Sequence, residues 1–206
     1  MSEKKGSATL NKESYKTYME IFLKQNSVHN LISKNDEKYL WEKHIFDSLA
    51  FGTFYEKYIN DKKNISLLDI GTGGGFPALP IALTYPEIEV TALDSIGKKI
   101  RAVENISEKL KLKNIHPLCM RVENLDMEFD IITSRAVSSL KNICEYALPK
   151  LKKEGFFIAY KSRKAPEEIE EASSVLKKYN AKIIEIIEYD LPLDEKITRN
   201  LIIISR

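Results

Sequence analysis

Apolar positions recur at helical spacing early in the chain: Tyr15, Tyr18, Met19 and Phe22 follow Asn11, a good N-cap, so the pattern predicts an opening amphipathic helix. A second helical stripe begins near Asn35 and Asp36 and carries Leu40, Trp41, Ile45 and Leu49. From Ile65 the period changes. Short apolar runs at Ile65 to Ile70, Ile88 to Leu93, Ile115 to Cys119, Phe129 to Thr133 and Gly155 to Tyr160 alternate with helical patterns, which predicts a parallel sheet with crossover helices. The crossover between the last two runs ends in Leu148-Pro149-Lys150-Leu151. The next helix starts at Pro166, with Glu167 and Glu168 in its first turn and Lys177-Lys178 in its last, charges placed to suit the helix dipole. Two further β-like runs, Ala181 to Tyr189 and Arg199 to Ile204, are joined by a loop with Pro192 that is too short for a helix, so they pair antiparallel.

The expected architecture is α/β: a seven-stranded, mostly parallel sheet with helices on both faces, preceded by an N-terminal helical extension over residues 1–60. Residues 61–206 form the core of what reads as one domain, since 206 residues suffice for one substantial core. Five strands in α/β alternation and two closing as a hairpin match the Rossmann-like class I methyltransferase sheet better than a dinucleotide dehydrogenase.

Composition narrows the class. A chain 43% hydrophobic and 30% charged is an ordinary globular composition and not a disordered one. Apolar runs such as Phe156 to Tyr160 are far too short to span a bilayer, and Met1-Ser2-Glu3-Lys4-Lys5 leads into no apolar signal segment, so a cytoplasmic location without membrane attachment is expected. Cys119 and Cys144 have no CxxC spacing and no nearby histidine pair, which argues for inert packing residues and no metal. The net charge of +2 is too small to indicate a nucleic-acid partner by itself. Local basic clusters occur at Lys98-Lys99-Arg101 and Lys161-Ser162-Arg163-Lys164, whereas Lys109, Lys111 and Lys113 read as a solvated helix end. Tyr15, Tyr18 and Phe22 read as core in preference to a base-stacking platform.

The chemistry is concentrated in Leu67-Leu68-Asp69-Ile70-Gly71-Thr72-Gly73-Gly74-Gly75-Phe76-Pro77, a strand running into glycines and then a helix, where an open α/β sheet binds its ligand. A dinucleotide fingerprint wants Gly or Ala five residues after its first glycine, and Phe76 stands there instead. Asp94, closing the next strand, suits a ribose acceptor, and Arg121-Val122-Glu123 offers an acid and a backbone N–H to an adenine edge. Loop, ribose acid and base-edge acid together match S-adenosylmethionine (AdoMet).

Three segments carry a more specific likeness. Gly71-Thr72-Gly73-Gly74-Gly75-Phe76-Pro77-Ala78-Leu79-Pro80, Leu93-Asp94-Ser95-Ile96-Gly97-Lys98-Lys99 and Ile132-Thr133-Ser134-Arg135-Ala136 resemble the RsmG (GidB) family, and Asn30-Leu31 with His44-Ile45-Phe46-Asp47-Ser48 fit its N-terminal part. The resemblance implies AdoMet-dependent methylation of a guanine N7 in 16S ribosomal RNA, with the RNA or the small ribosomal subunit as partner; a monomer is expected. It implies cofactor contacts at Gly71, Gly73, Phe76, Asp94, Ser95, Val122, Glu123 and Arg135. Ala78, Ile32 and Ser162 depart from the residues usual in the family.

N7 has a lone pair and no proton, so no general base is needed, and Ser134-Arg135-Ala136 takes the place of an Asn/Asp-Pro-Pro-aromatic amine-methylating signature. Arg135 is then the catalytic candidate, orienting either the methionine carboxylate or guanine O6. The bland alternative for it is a structural salt bridge to an acid such as Asp69. His44 and Asp47, at i and i+3, suggest that Asp47 fixes the imidazole tautomer, with a helix-to-core hydrogen bond favoured over catalysis. A small-molecule or protein methyltransferase, and a non-catalytic AdoMet or RNA binder, remain the competing functions. A nicotinamide-dependent oxidoreductase is disfavoured by Phe76.

Overall fold

The computed structural model describes residues 11–59, 64–162 and 165–206. Asn11 accepts from the Glu13 N–H and opens a single 3-10 turn, Lys12–Tyr15, that runs into helix α1, Lys16–His29. Asn30, in the left-handed conformation, stops α1. Ser33 caps α2, Lys34–Glu37, slightly ahead of the expected start at Asn35-Asp36. The second stripe then continues as a π-helical turn, Trp41–Ile45, and α3, Phe46–Leu49, before α4, Phe51–Tyr58.

The sheet follows as β1 (Ile65–Ile70), β2 (Ile88–Asp94), β3 (Ile115–Cys119), β4 (Phe129–Arg135), β5 (Leu151–Lys161), β6 (Lys182–Asp190) and β7 (Thr198–Ser205). Helices α5 (Ala78–Thr84), α6 (Gly97–Lys109), α7 (Leu140–Ala147) and α8 (Ala165–Lys178) connect them. The strand order is β3-β2-β1-β4-β5-β7-β6. β1 pairs parallel with both β2 and β4, and the hairpin β6–β7 is antiparallel, with β7 inserted beside β5. The chain changes direction of winding between β1 and β4, so their C-terminal ends open a crevice there.

Two expectations need correction. Alternation is incomplete between β3 and β4, where the crossover holds only the one-turn Val122–Asn124, because the few residues available leave no room for a longer helix. β5 begins at Leu151 and not at Gly155, with Glu154 at positive φ inside it and a register shift opposite Phe129 and Ile131.

Each face of the sheet has its own core. On one, Leu67, Ile131, Ile158 and Ile203 pack against Tyr18, Phe22, Trp41, Phe51 and Phe54 of the extension and against α5 and α6. On the other, Leu68, Ile132, Phe157 and Ile202 pack against Ile143 and Cys144 of α7 and Ala172 and Val175 of α8. The alternation of successive strand residues between these two cores is the period-2 signature of a sheet buried on both sides. Tyr15, Tyr18 and Phe22 are buried, which bears out the core reading.

Candidate active site

Gly71, Gly73 and Gly75 all adopt positive φ, and the N–H groups of Gly71 and Thr72 both donate to the Leu93 carbonyl, at 2.8 and 2.9 Å. The turn thus hooks the tip of β1 over the tip of β2. Asp94 locks the hook: its carboxylate accepts from Gly73 N at 3.0 Å and from Ile96 N at 2.9 Å, with Lys99 Nζ at 3.6 Å. These contacts leave lone pairs free, so Asp94 can hold the loop and still accept from a ligand hydroxyl.

A cleft of about 370 Å³ opens at this edge, within the range of small-molecule sites. Gly71, Asp94, Ser95, Val122 and Glu123 line it, which brings together the tips of β1, β2 and β3. Sequence reasoning missed Lys99, Met120, Val137, Ile143 and Tyr146, which also line it. A signal for Tyr146 was present: it lies off the apolar stripe of α7 formed by Leu140, Ile143, Cys144 and Ala147. Among the described residues it is one of the few exposed large hydrophobic side chains.

Gly73, Phe76 and Arg135 do not line the cleft. The Phe76 ring is buried against Phe22 at 5.0 Å and His44 at 5.1 Å, so the residue that argued against a dinucleotide seats the glycine loop on the extension. Ala78, at the start of α5, has no positive φ, and the glycine usual at this position is not needed. Ile32 N donates to the buried Asn26 side chain at 2.8 Å, a backbone contact that its side-chain identity leaves untouched.

Arg135 ends β4 and reaches toward the extension. Nη1 donates to the Lys43 carbonyl at 3.1 Å and to Asp47 Oδ2 at 3.0 Å, Nη2 donates to His44 Nδ1 at 3.1 Å, and the guanidinium lies over Phe76 at 5.2 Å. The acid expected from sequence, Asp69, instead accepts from Thr133 Oγ1 at 2.9 Å, and burial pushes its carboxyl up to about 6. The expected Asp47–His44 contact is corrected, because Asp47 accepts from Arg135 and from the Tyr189 hydroxyl, at 2.7 Å. His44 Nδ1 accepts from Arg135, so the proton sits on Nε2. Burial, reinforced by the Arg135 charge, holds the imidazole down to about 4.

The basic clusters separate. Lys98 and Arg101 are exposed, whereas Lys99 is drawn to Asp94. Lys161 is corrected as an RNA-facing candidate: only 10% of its side chain is exposed, and it donates to Glu168 at 2.7 Å and to the Ser138 carbonyl at 2.6 Å. Arg163 and Lys164 lie outside the described residues. Cys144 is buried, with its thiol pushed up to about 12 by desolvation, but Cys119 is exposed and is not the packing residue expected. Among the described residues no group of acids, histidines and cysteines could hold a metal, and no helix is long and apolar enough to cross a membrane.

The arrangement has clear relatives. Solved structures share the fold: a ribosomal protein L11 methylase from Lactobacillus delbrueckii subsp. bulgaricus superposes with a TM-score of 0.58 at 19% identity, over 77% of this chain and 76% of that one. M. jannaschii TYW2 in complex with AdoMet also gives 0.58, at 15% identity over the same shares. At the level of sequence, a ribosomal RNA small subunit methyltransferase G from Bacillus licheniformis is 36% identical across 99% of this chain and 87% of its own length. One from Lachnoclostridium phytofermentans is 37% identical across 94% and 81%. The family model described as GidB, rRNA small subunit methyltransferase G, matches residues 11–194, a span that takes in the extension as well as the cleft. With the glycine hook, the Asp94 lock and the Arg135–His44–Asp47 cluster all inside that span, the chain belongs to the GidB family of rRNA small subunit methyltransferases.

Proposed function

We propose that the protein transfers a methyl group from AdoMet to N7 of a guanine in 16S ribosomal RNA. The observation that carries this reading is the convergence of Gly71, Asp94 and Glu123 from three strand tips on one cleft. The fit is chemical: Gly71 offers bare backbone, Asp94 accepts from the two ribose hydroxyls beside Ser95, and Glu123 with the Val122 N–H meets the adenine edge. When bound, AdoMet supplies an electrophilic methyl on a sulfonium.

The chain's task is alignment. Guanine N7 attacks with an in-plane lone pair and releases no proton, so the absence of a demand for a base agrees with a His44 held neutral and already occupied by Arg135. A guanidinium carries five N–H groups, and the three bonds to Lys43, His44 and Asp47 leave two for a ligand acceptor. Arg135 stands outside the cleft lining but directly precedes Ala136, which is part of it, and orients the reactants through these, at the methionine carboxylate or at guanine O6, leaving N7 unblocked.

The test is incorporation of labelled methyl from AdoMet into bacterial small subunits and into deproteinised 16S RNA, followed by mapping of N7-methylguanine. A single modified guanine is expected, and binding of AdoMet without incorporation into either substrate would overturn the reading. Asp94→Ala is expected to weaken AdoMet binding at least tenfold by calorimetric titration, about 1.4 kcal/mol or more. Unchanged affinity would remove Asp94 from the site.

A further inference from the structure

The Arg135 cluster is built from more of the fold than the orientation of one side chain needs. Asp47, on α3, is 3% exposed, and its two oxygens meet three strands: Oδ2 accepts from Arg135 of β4, and Oδ1 accepts from Tyr189 of β6 with Arg199 Nε of β7 at 3.9 Å. The neighbouring Ser48 carbonyl accepts from Tyr160 of β5 at 2.9 Å. Four adjacent strands therefore fasten one turn of the extension.

A buried ion pair contributes little net stability, because desolvation offsets the attraction. This one is also surrounded by poorly satisfied groups. Tyr18 Oη and His44 Nε2 are buried without a hydrogen-bond partner, and both side chains lie within electrostatic reach of Arg135. Such a cluster is badly arranged for stability and well arranged for fixing a plane. Lys43 O, His44 Nδ1 and Asp47 Oδ2 hold the guanidinium fork at three points, and the Tyr189 hydroxyl in turn fixes the carboxylate.

We propose that Asp47, braced by Tyr189, is a positioning residue for methyl transfer: it sets the plane of Arg135 so that the two remaining N–H groups face the reactants. The extension then supplies part of the active site. The proposal rests on the reading above that Arg135 orients the reactants.

The test is a double-mutant cycle in single-turnover methyl transfer to small subunits, with enzyme in excess and AdoMet saturating. Arg135→Ala, Asp47→Asn and their combination are compared, with AdoMet affinity and thermal midpoint measured for each. Asp47→Asn is expected to slow transfer at saturating AdoMet at least tenfold, to change AdoMet affinity no more than Arg135→Ala does, and to have no further effect in the Arg135→Ala background. Tyr189→Phe, which keeps the ring packed, is expected to slow transfer about threefold and likewise to lose its effect without Arg135; it carries the cycle by itself if Asp47→Asn fails to fold. Undiminished transfer by Arg135→Ala would overturn the orienting role and this proposal together. Slowed transfer by Arg135→Ala, with additive effects of the second substitution or none in the parent, would overturn this proposal alone.

Discussion

At the scale of single residues, neighbouring glycines of one loop are required for different reasons. Gly71 has φ +72°, and a Cβ there would come within 2.5 Å of Val137 Cγ2, whereas at Gly73, φ +59°, it would meet only the Gly71 carbonyl at 3.9 Å. Gly73→Ala therefore costs only the left-handed backbone, about 1–2 kcal/mol. Gly71→Ala adds a clash in the wall of the cleft. It is expected to lower AdoMet affinity at least tenfold more than Gly73→Ala, as titration calorimetry would register; equal losses would mean that Val137 moves aside freely. His44 gives a pH signature. Its pKa falls from 6.5 to about 4 on folding, so between those values the unfolded chain binds the extra proton and stability drops as pH falls. The contribution, on the order of 3 kcal/mol, is present above pH 6.5 and lost by about pH 4. Asp69, raised to about 6, acts with the opposite sign, since the folded state binds the extra proton between 3.8 and 6. His44→Gln, which leaves Asp69 in place, is expected to flatten the acid loss between pH 6.5 and 4 in urea titrations. A slope identical to that of the parent would show that His44 titrates normally in the folded state.

At the scale of elements, Lys161 is a fastener. Its ammonium joins the end of β5 to Glu168 of α8 and to Ser138 O, and the same Glu168 oxygen accepts from Leu140 N at the start of α7. Lys161→Ala strips a partly buried carboxylate of its counter-ion, with an expected cost of about 2–3 kcal/mol. It should leave the salt dependence of rRNA binding unaltered, because the ammonium does not reach a phosphate. Removing the exposed pair Lys98 and Arg101 should instead reduce the slope of log affinity against log salt by about 1–2, if both contact phosphate. Filter binding across a salt series separates the two, and a lower slope for Lys161→Ala would return it to the RNA surface. The contrast shows what was legible in the sequence. Short apolar runs located β1 and β3 at their observed bounds, and the glycine loop with Asp94 and Glu123 anticipated the cleft, because each is a local pattern. Pairings such as Arg135 with Asp47, 88 residues apart, leave no local trace. Lys161 misled for the same reason: a basic run looks solvated until the fold presents it with Glu168.

At the scale of the whole molecule, the extension and the sheet share one core. Trp41, Phe51 and Phe54 bury themselves on the same face of the sheet as Leu67, Ile131 and Ile203. Phe76 of the glycine loop packs on Phe22. Stripping the extension would bare that face, and with it the rings under the glycine loop, so the cleft is expected to depend on the docked extension. Because the extension shares one of the sheet's two cores, the two are expected to unfold together. The chain contains a single tryptophan, Trp41, which lies in the extension and is 7% exposed. Its fluorescence therefore follows the extension, while far-ultraviolet circular dichroism follows helices and strands throughout. Coincident urea transitions by the two probes are expected, with AdoMet shifting both midpoints upward by the same amount. A fluorescence transition that precedes the loss of dichroism would mean that the extension peels from an independently folded sheet. In that case Asp47 could not hold Arg135 except when docked, and methyl transfer would fail at the urea concentration where the fluorescence changes and not where the sheet unfolds.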